Sequence, residues 1–136
     1  MSYQITVRHE ERLVQVHITG AMTLEVIRSF ADELLQPPYI DLMYDVLFDC
    51  RPADFRDLSS NDIRSIVGYL ARNAGLIPDN RHAIVVSQQL QFGMMRMFQL
   101  LVDDNPNFTC QVFYDEAEAR RWLDEGPGAD APRDHS

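Results

Sequence analysis

With 136 residues, 46% of them hydrophobic and 24% charged, the chain has the size and composition of one globular domain, too polar for a membrane protein and too apolar for a disordered one. Its formal net charge is −9 and every one of its twelve basic residues is Arg, so phosphate backbones and anionic membranes, which need clustered positive charge, are poor partners. No apolar run approaches the length that spans a bilayer, which argues against a transmembrane segment.

The opening residues, Met1 to Arg8, lack the charged, apolar and small-residue order of a secretory signal, so the expected location is cytoplasmic. From Tyr3 to Ile18 the pattern alternates: Ile5 and Val7, then Val14, Val16 and Ile18, share single faces of two period-two runs around a polar turn at His9-Glu10-Glu11. This predicts an N-terminal β-hairpin with one face buried. Gly20 closes the second strand, and Thr23 stands where it can cap a helix carrying Leu24, Ile27, Ala31 and Leu34. Pro37-Pro38 ends that helix, because proline lacks an N–H and restricts the residue before it, and 36–44 reads as a loop.

Val46-Leu47-Phe48 is a continuous apolar run of the kind found in strands covered on both faces, with Asp49 at its end. Ile63, Ile66, Val67, Leu70 and Ala74 mark the clearest helix, with Ser59 and Ser60 placed to cap its start and Asn73-Gly75 to stop it. Ala83-Ile84-Val85-Val86 is a further buried-type strand, after which Ser87 can cap a helix over 88–101. There the spacing of Leu90, Met94, Met97, Phe98 and Leu101 predicts a core-facing stripe, with Phe92 and Met95 paired outside it. A loop over 103–107, a strand from Phe108 to Tyr114, and a helix carrying Ala119, Trp122 and Leu123 behind Asp115 and Glu118 complete the domain. Gly126 to Ser136 has no burial pattern, so 1–125 reads as a single domain and 126–136 as a disordered tail. The order β-β-α-β-α-β-α-β-α predicts an α/β sandwich with a mostly parallel sheet and one antiparallel edge formed by the hairpin.

The residues offer little chemistry. The six glycines are scattered, so no loop can cradle phosphates and no nucleotide cofactor is expected. His9, His17, His82 and His135 lie far apart and Cys50 and Cys110 form no close pair, so no metal site is expected either. The two cysteines sit in strand-like sequence and read as buried thiols in a reducing compartment. Arg51 beside Cys50 could lower its pKa, and Asp49, Asp54 and Asp57 could pair for acid–base work, but packing and turn formation account for both sets. Arg51, Arg56, Arg64 and Arg72 read as dispersed partners of Asp54, Asp57 and Asp62.

Gly20-Ala21-Met22-Thr23, Asp49, Ile84-Val85-Val86-Ser87 followed by Phe92-Gly93-Met94-Met95-Arg96-Met97-Phe98, and Val112-Phe113-Tyr114-Asp115 leading to Ala119-Arg120-Arg121-Trp122-Leu123 together resemble the bacterial SpoIIAA-like family. The resemblance implies a STAS-like fold related to CRAL-TRIO lipid-binding domains, in a family whose members are mostly small proteins without assigned activity, and with no catalytic constellation in the residues no enzyme is expected. Anti-sigma antagonists of the STAS group carry Asp-Ser-Ser-Gly at the start of the helix after the third strand, with a phosphorylated Ser as switch. Here the stretch is Asp57-Leu58-Ser59-Ser60, so Leu58 occupies the first Ser position and Ser60 the Gly position. Ser59 and Ser60 are therefore candidate regulatory residues, and Phe92, Met95 and Arg96 are candidate contacts for a protein partner, a second copy or an apolar ligand. The expected function is regulation through protein contact, with binding of a small apolar or lipid-like ligand beneath the 88–101 helix as the alternative.

Overall fold

The computed structural model describes residues 2–103 and 108–125; the 126–136 segment, expected to be a disordered tail, lies outside the described residues, as does most of the 103–107 loop. The hairpin forms as its alternation requires: β1 (Tyr3–Arg8) pairs antiparallel with β2 (Leu13–Ile18), Ile5 opposite Val16 and Val7 opposite Val14. Three parallel strands extend the sheet: β4 (Asp45–Asp49), β6 (Arg81–Val85) and β7 (Thr109–Phe113), giving the order β1-β2-β4-β6-β7. Two-residue strands β3 (Gly20–Ala21) and β5 (Ala53–Asp54) make a small parallel pair, each too short to leave a periodic signal. Gly20 there adopts a φ of +71°, a region that favours glycine.

Helices α1 (Leu24–Leu34), α3 (Ser60–Arg72) and α4 (Gln89–Val102) cover one face of the sheet, over Val14, Val16, Ile18, Val46 and Ile84. Helix α5 (Glu116–Asp124) covers the other, packing Ala119, Trp122 and Leu123 on Leu47, Ala83, Val85 and Phe113. Thr23 caps α1, its Oγ1 accepting from the Val26 N–H at 3.2 Å. Asp115 caps α5 by accepting from the Ala117 N–H at 2.8 Å. The 36–44 segment, expected to be a loop, contains a short helix, α2 (Tyr39–Leu42), which ends at Met43 with a positive φ.

The expected orientation of α4 is corrected. Leu90 and Leu101 are exposed, Met94 and Met97 half-buried, while the face turned to the sheet carries Gln91, Met95, Phe98 and Val102. Of the expected stripe, Phe98 alone is buried, and the helix is turned by roughly a quarter of a revolution from the arrangement its apolar spacing favours. The cause is a buried polar side chain. Gln91, 1% exposed, donates its amide to the carbonyls of Cys50, Arg51 and Ala53 and accepts from the N–H groups of Ser87 and Gln88 at 2.8 and 3.1 Å. The cap position is also corrected: the N-cap is Gln88, and the Ser87 hydroxyl lies 3.3 Å from the Arg51 carbonyl rather than accepting from the first turn.

Candidate functional site

Between the sheet and the three helices of its covered face lies a cavity of about 110 Å³. All three helices supply its roof: Phe30 from α1, Ile63 and Ile66 from α3, Met95 and Phe98 from α4. It is therefore wider in origin than a site beneath α4 alone. Its floor is Val14, Val46, Phe48 and Ile84, the residues that strand alternation turns toward the helices. Leu34, Leu35, Tyr39, Tyr44 and Pro78 are half-buried members of the wall, and they gather at the amino ends of β4 and β6 beside α2. The strand order rises from β2 to β7 without reversal, so the sheet has no switch-point crevice at its carboxyl ends, the usual ligand position in open α/β folds.

No Asp, Glu, Lys or Arg is among the residues that line the cavity. Two of its polar members are buried, Asn80 and His82. The Asn80 amide nitrogen donates to the Tyr44 carbonyl at 2.7 Å. His82 stacks against Phe108, with ring centroids 4.2 Å apart, and lies on its other side toward Phe48 at 6.2 Å. Its Nδ1 is 3.2 Å from the Thr109 carbonyl, an acceptor, so Nδ1 carries the ring proton and Nε2 bears the lone pair. Burial lowers its pKa to about 4 against a weaker opposing effect of that hydrogen bond, which keeps the imidazole neutral at physiological pH. Tyr44 presents its hydroxyl to His9 Nδ1 at 3.0 Å.

The remaining candidates are dispersed. Ser59 caps α3 in a reciprocal box: its Oγ accepts from the Asp62 N–H at 3.1 Å, and its own N–H donates to the Asp62 carboxylate at 2.9 Å. Ser60 is the first helical residue and exposed. Phe92 is half-buried and stacks on Tyr114 with centroids 4.7 Å apart, Arg96 is exposed, and Met95 is buried in the cavity roof, so the three make no common patch. The expected pairing of Phe92 with Met95 outside the core fails because Met95 follows Gln91 onto the buried face.

Asp49, Asp54 and Asp57 do not converge on a reaction site. Partial burial pushes Asp49 up, but hydrogen bonds and charge from Arg51 outweigh it and hold the carboxyl below its ordinary range. Arg51 bridges Asp49 at 2.9 Å and Glu116 at 2.7 Å, Glu116 meets Arg120, and Arg120 reaches Glu11, a chain of ion pairs that ties α5 to β4 and the hairpin turn. Asp54 pairs with Arg56, two residues on. Cys50 is buried, and burial first, then the Asp49 charge, push its thiol well above the ordinary range, the opposite of an activated nucleophile. No group of three metal-ligating side chains occurs among the described residues.

This architecture is shared with a crystal structure of an uncharacterized protein from the DUF3478 family with a SpoIIAA-like fold, from Shewanella loihica PV-4. The match has a TM-score of 0.53 at 17% sequence identity and covers 89% of this chain and 91% of that one. The fold is SpoIIAA-like. The antiparallel hairpin edge, the parallel core of the sheet and the alternation of strands and helices agree with the expectation from sequence. No protein-family model and no curated protein matches the chain. Within the SpoIIAA-like frame, no described helix is long and apolar enough to cross a membrane.

Asn80 and Gln91 escape sequence reading. Asn80 follows Pro78-Asp79, a turn signal that hides a buried residue, and Gln91 carries an amide on the face that apolar counting leaves out. The one available signal is His82, a polar side chain immediately before the apolar run Ala83–Val86.

Proposed function

We propose that this chain is a non-catalytic SpoIIAA-like domain that binds a small, uncharged, largely apolar ligand between its sheet and helices α1, α3 and α4. The observation that carries this reading is the cavity of about 110 Å³, walled by aliphatic and aromatic side chains without a formal charge. Such a space forfeits dispersion contacts while empty, and an apolar guest of matching size restores them. A charged guest would lose its hydration without gaining an ion partner. The acids outside the cavity and the Cys50 thiol in its wall support a binding rather than a catalytic role, because each is tied in an ion pair, exposed without a partner base, or held protonated.

Titration with toluene, followed by calorimetry and thermal unfolding, tests this reading. Saturable binding with a melting temperature that rises with toluene concentration is expected. Val46→Phe, which fills the floor, should abolish the heat of binding while the protein remains folded. Absence of saturable binding up to the solubility of toluene overturns the proposal.

A second reading, self-association through α4, has its own observation. Leu90 and Leu101 are 52% and 38% exposed on one side of a fourteen-residue helix whose single charged residue is Arg96. On a chain of net charge −9, two copies repel least where charge is sparsest, and one helix face can meet itself across a twofold axis. Sedimentation should then show a dimer that Leu90→Ser with Leu101→Ser converts to monomer; a monomer at all concentrations rejects it.

A further inference from the structure

Asn80, one of the residues that line the cavity, carries a polar atom that the protein leaves unsatisfied. Asn80 is only 9% exposed, and its Oδ1 is buried without a hydrogen-bond partner. Its orientation is fixed by chemistry: the Tyr44 carbonyl, 2.7 Å away, can only accept, so the amide nitrogen must face it and the oxygen must point elsewhere. A buried carbonyl oxygen left unpaired forfeits its hydration without replacement, so such a group in a native interior calls for a partner. The second buried polar side chain in the wall, His82, commits its Nδ1 proton to the Thr109 carbonyl and keeps a lone pair on Nε2. Asn80 Oδ1 and His82 Nε2 are therefore both acceptors left to offer, and beside them the one remaining donor of these two side chains is the second amide hydrogen of Asn80.

We infer that the ligand is a neutral alcohol or phenol, its hydrocarbon part filling the apolar cavity and its hydroxyl donating a hydrogen bond to Asn80 Oδ1. This rests on the ligand-binding reading given above and narrows it. A carboxylate, such as the head of a fatty acid, is excluded at this end, because it has no proton to give Asn80 Oδ1 and would surrender its hydration to a wall that holds no cation. A pure hydrocarbon fits the space but leaves Asn80 Oδ1 unsatisfied. Discrimination by a buried polar group is steep for this reason: the analogue lacking the matching hydroxyl leaves the site's own atom unpaired.

Phenol and toluene have nearly the same shape and differ in the donor, so the ratio of their dissociation constants reports on Asn80. The test compares that ratio in the parent chain and in Asn80→Leu. The substitution should shift the preference toward toluene by roughly three- to tenfold, the worth of one net hydrogen bond. If Asn80→Leu does not fold, anisole serves in the parent: its oxygen has no hydrogen, and it must fail to displace phenol at matched concentration. Binding of both probes with a ratio unchanged by Asn80→Leu, or equal competition by anisole, overturns the inference and leaves the cavity reading standing, with water as the partner of Oδ1. Failure of toluene and phenol alike to bind removes the cavity reading and this inference with it.

Discussion

Gln91, in the first turn of α4, donates its side-chain amide to the carbonyl of Ala53 at 2.9 Å, across 38 residues of chain. The same amide reaches the Cys50 carbonyl at 3.1 Å, and its oxygen accepts from two backbone N–H groups that precede the helix. One side chain thus satisfies backbone groups on both sides of the junction between α4 and the segment that follows β4. Gln91→Leu should leave these groups unpaired and cost about 3 kcal/mol in urea unfolding. Gln91→Glu keeps the acceptor but sets a carboxylate against carbonyls, and it should be comparably destabilised at neutral pH. Parent-like midpoints for both variants would show that water replaces the amide without loss.

The two serines at the start of α3 should behave differently. Ser59→Ala removes the reciprocal cap with Asp62 and should cost about 1 kcal/mol, whereas Ser60→Ala, at an exposed helical position, should lie within about 0.5 kcal/mol of the parent. Chemical denaturation of the pair decides this, and equal effects would refute the assignment of the cap.

What sequence reveals of this domain depends on whether a residue's role is local. Strand alternation in Val14-Gln15-Val16, the Thr23 and Ser59 caps and the stripe Ile63, Ile66, Leu70 are set by near neighbours, and each is legible in the order of residues alone. The rotation of α4 is not, because Gln91 is buried by bonds to residues some 40 positions away, an arrangement that apolar spacing cannot register. The cavity is hidden for the same reason. Its walls come from every strand-to-helix crossover on one face, and its polar member Asn80 is read locally as part of a turn.

His82 gives the domain a pH-dependent term. Burial lowers its pKa from 6.5 to about 4 in the folded chain. Between those values the unfolded state binds more protons than the folded state, so stability rises with pH through this window. The contribution is complete above about pH 6.5 and is lost as pH falls toward 4, a span worth on the order of 3 kcal/mol. His82→Phe keeps an aromatic ring between Phe48 and Phe108 and should flatten the stability profile from pH 6.5 to 4.5, above the range in which Asp49 and Glu116, both lowered by Arg partners, take up protons. An unchanged slope in that variant would place the titration on another group.

The orientation of α4 makes the two apolar sides of one helix separable by mutation. Met95 is 6% exposed and forms part of the cavity roof, whereas Leu101 is 38% exposed. Met95→Ser removes buried apolar volume and adds a hydroxyl at a site with few partners, so it should cost about 3 kcal/mol and weaken toluene binding. Leu101→Ser should change stability by less than about 1 kcal/mol and leave that binding intact, because half-exposed leucine contributes only part of its transfer energy. A Phe92→Ser, Met95→Ser double variant should then lose stability mainly through Met95, since Phe92 gives up only its stacking on Tyr114 and partial burial. Urea unfolding of the three variants orders them. If Leu101→Ser proves the most damaging, the helix sits with its Leu90, Met94, Met97 and Leu101 side inward, the arrangement that apolar spacing alone favours, and Gln91 does not govern its rotation.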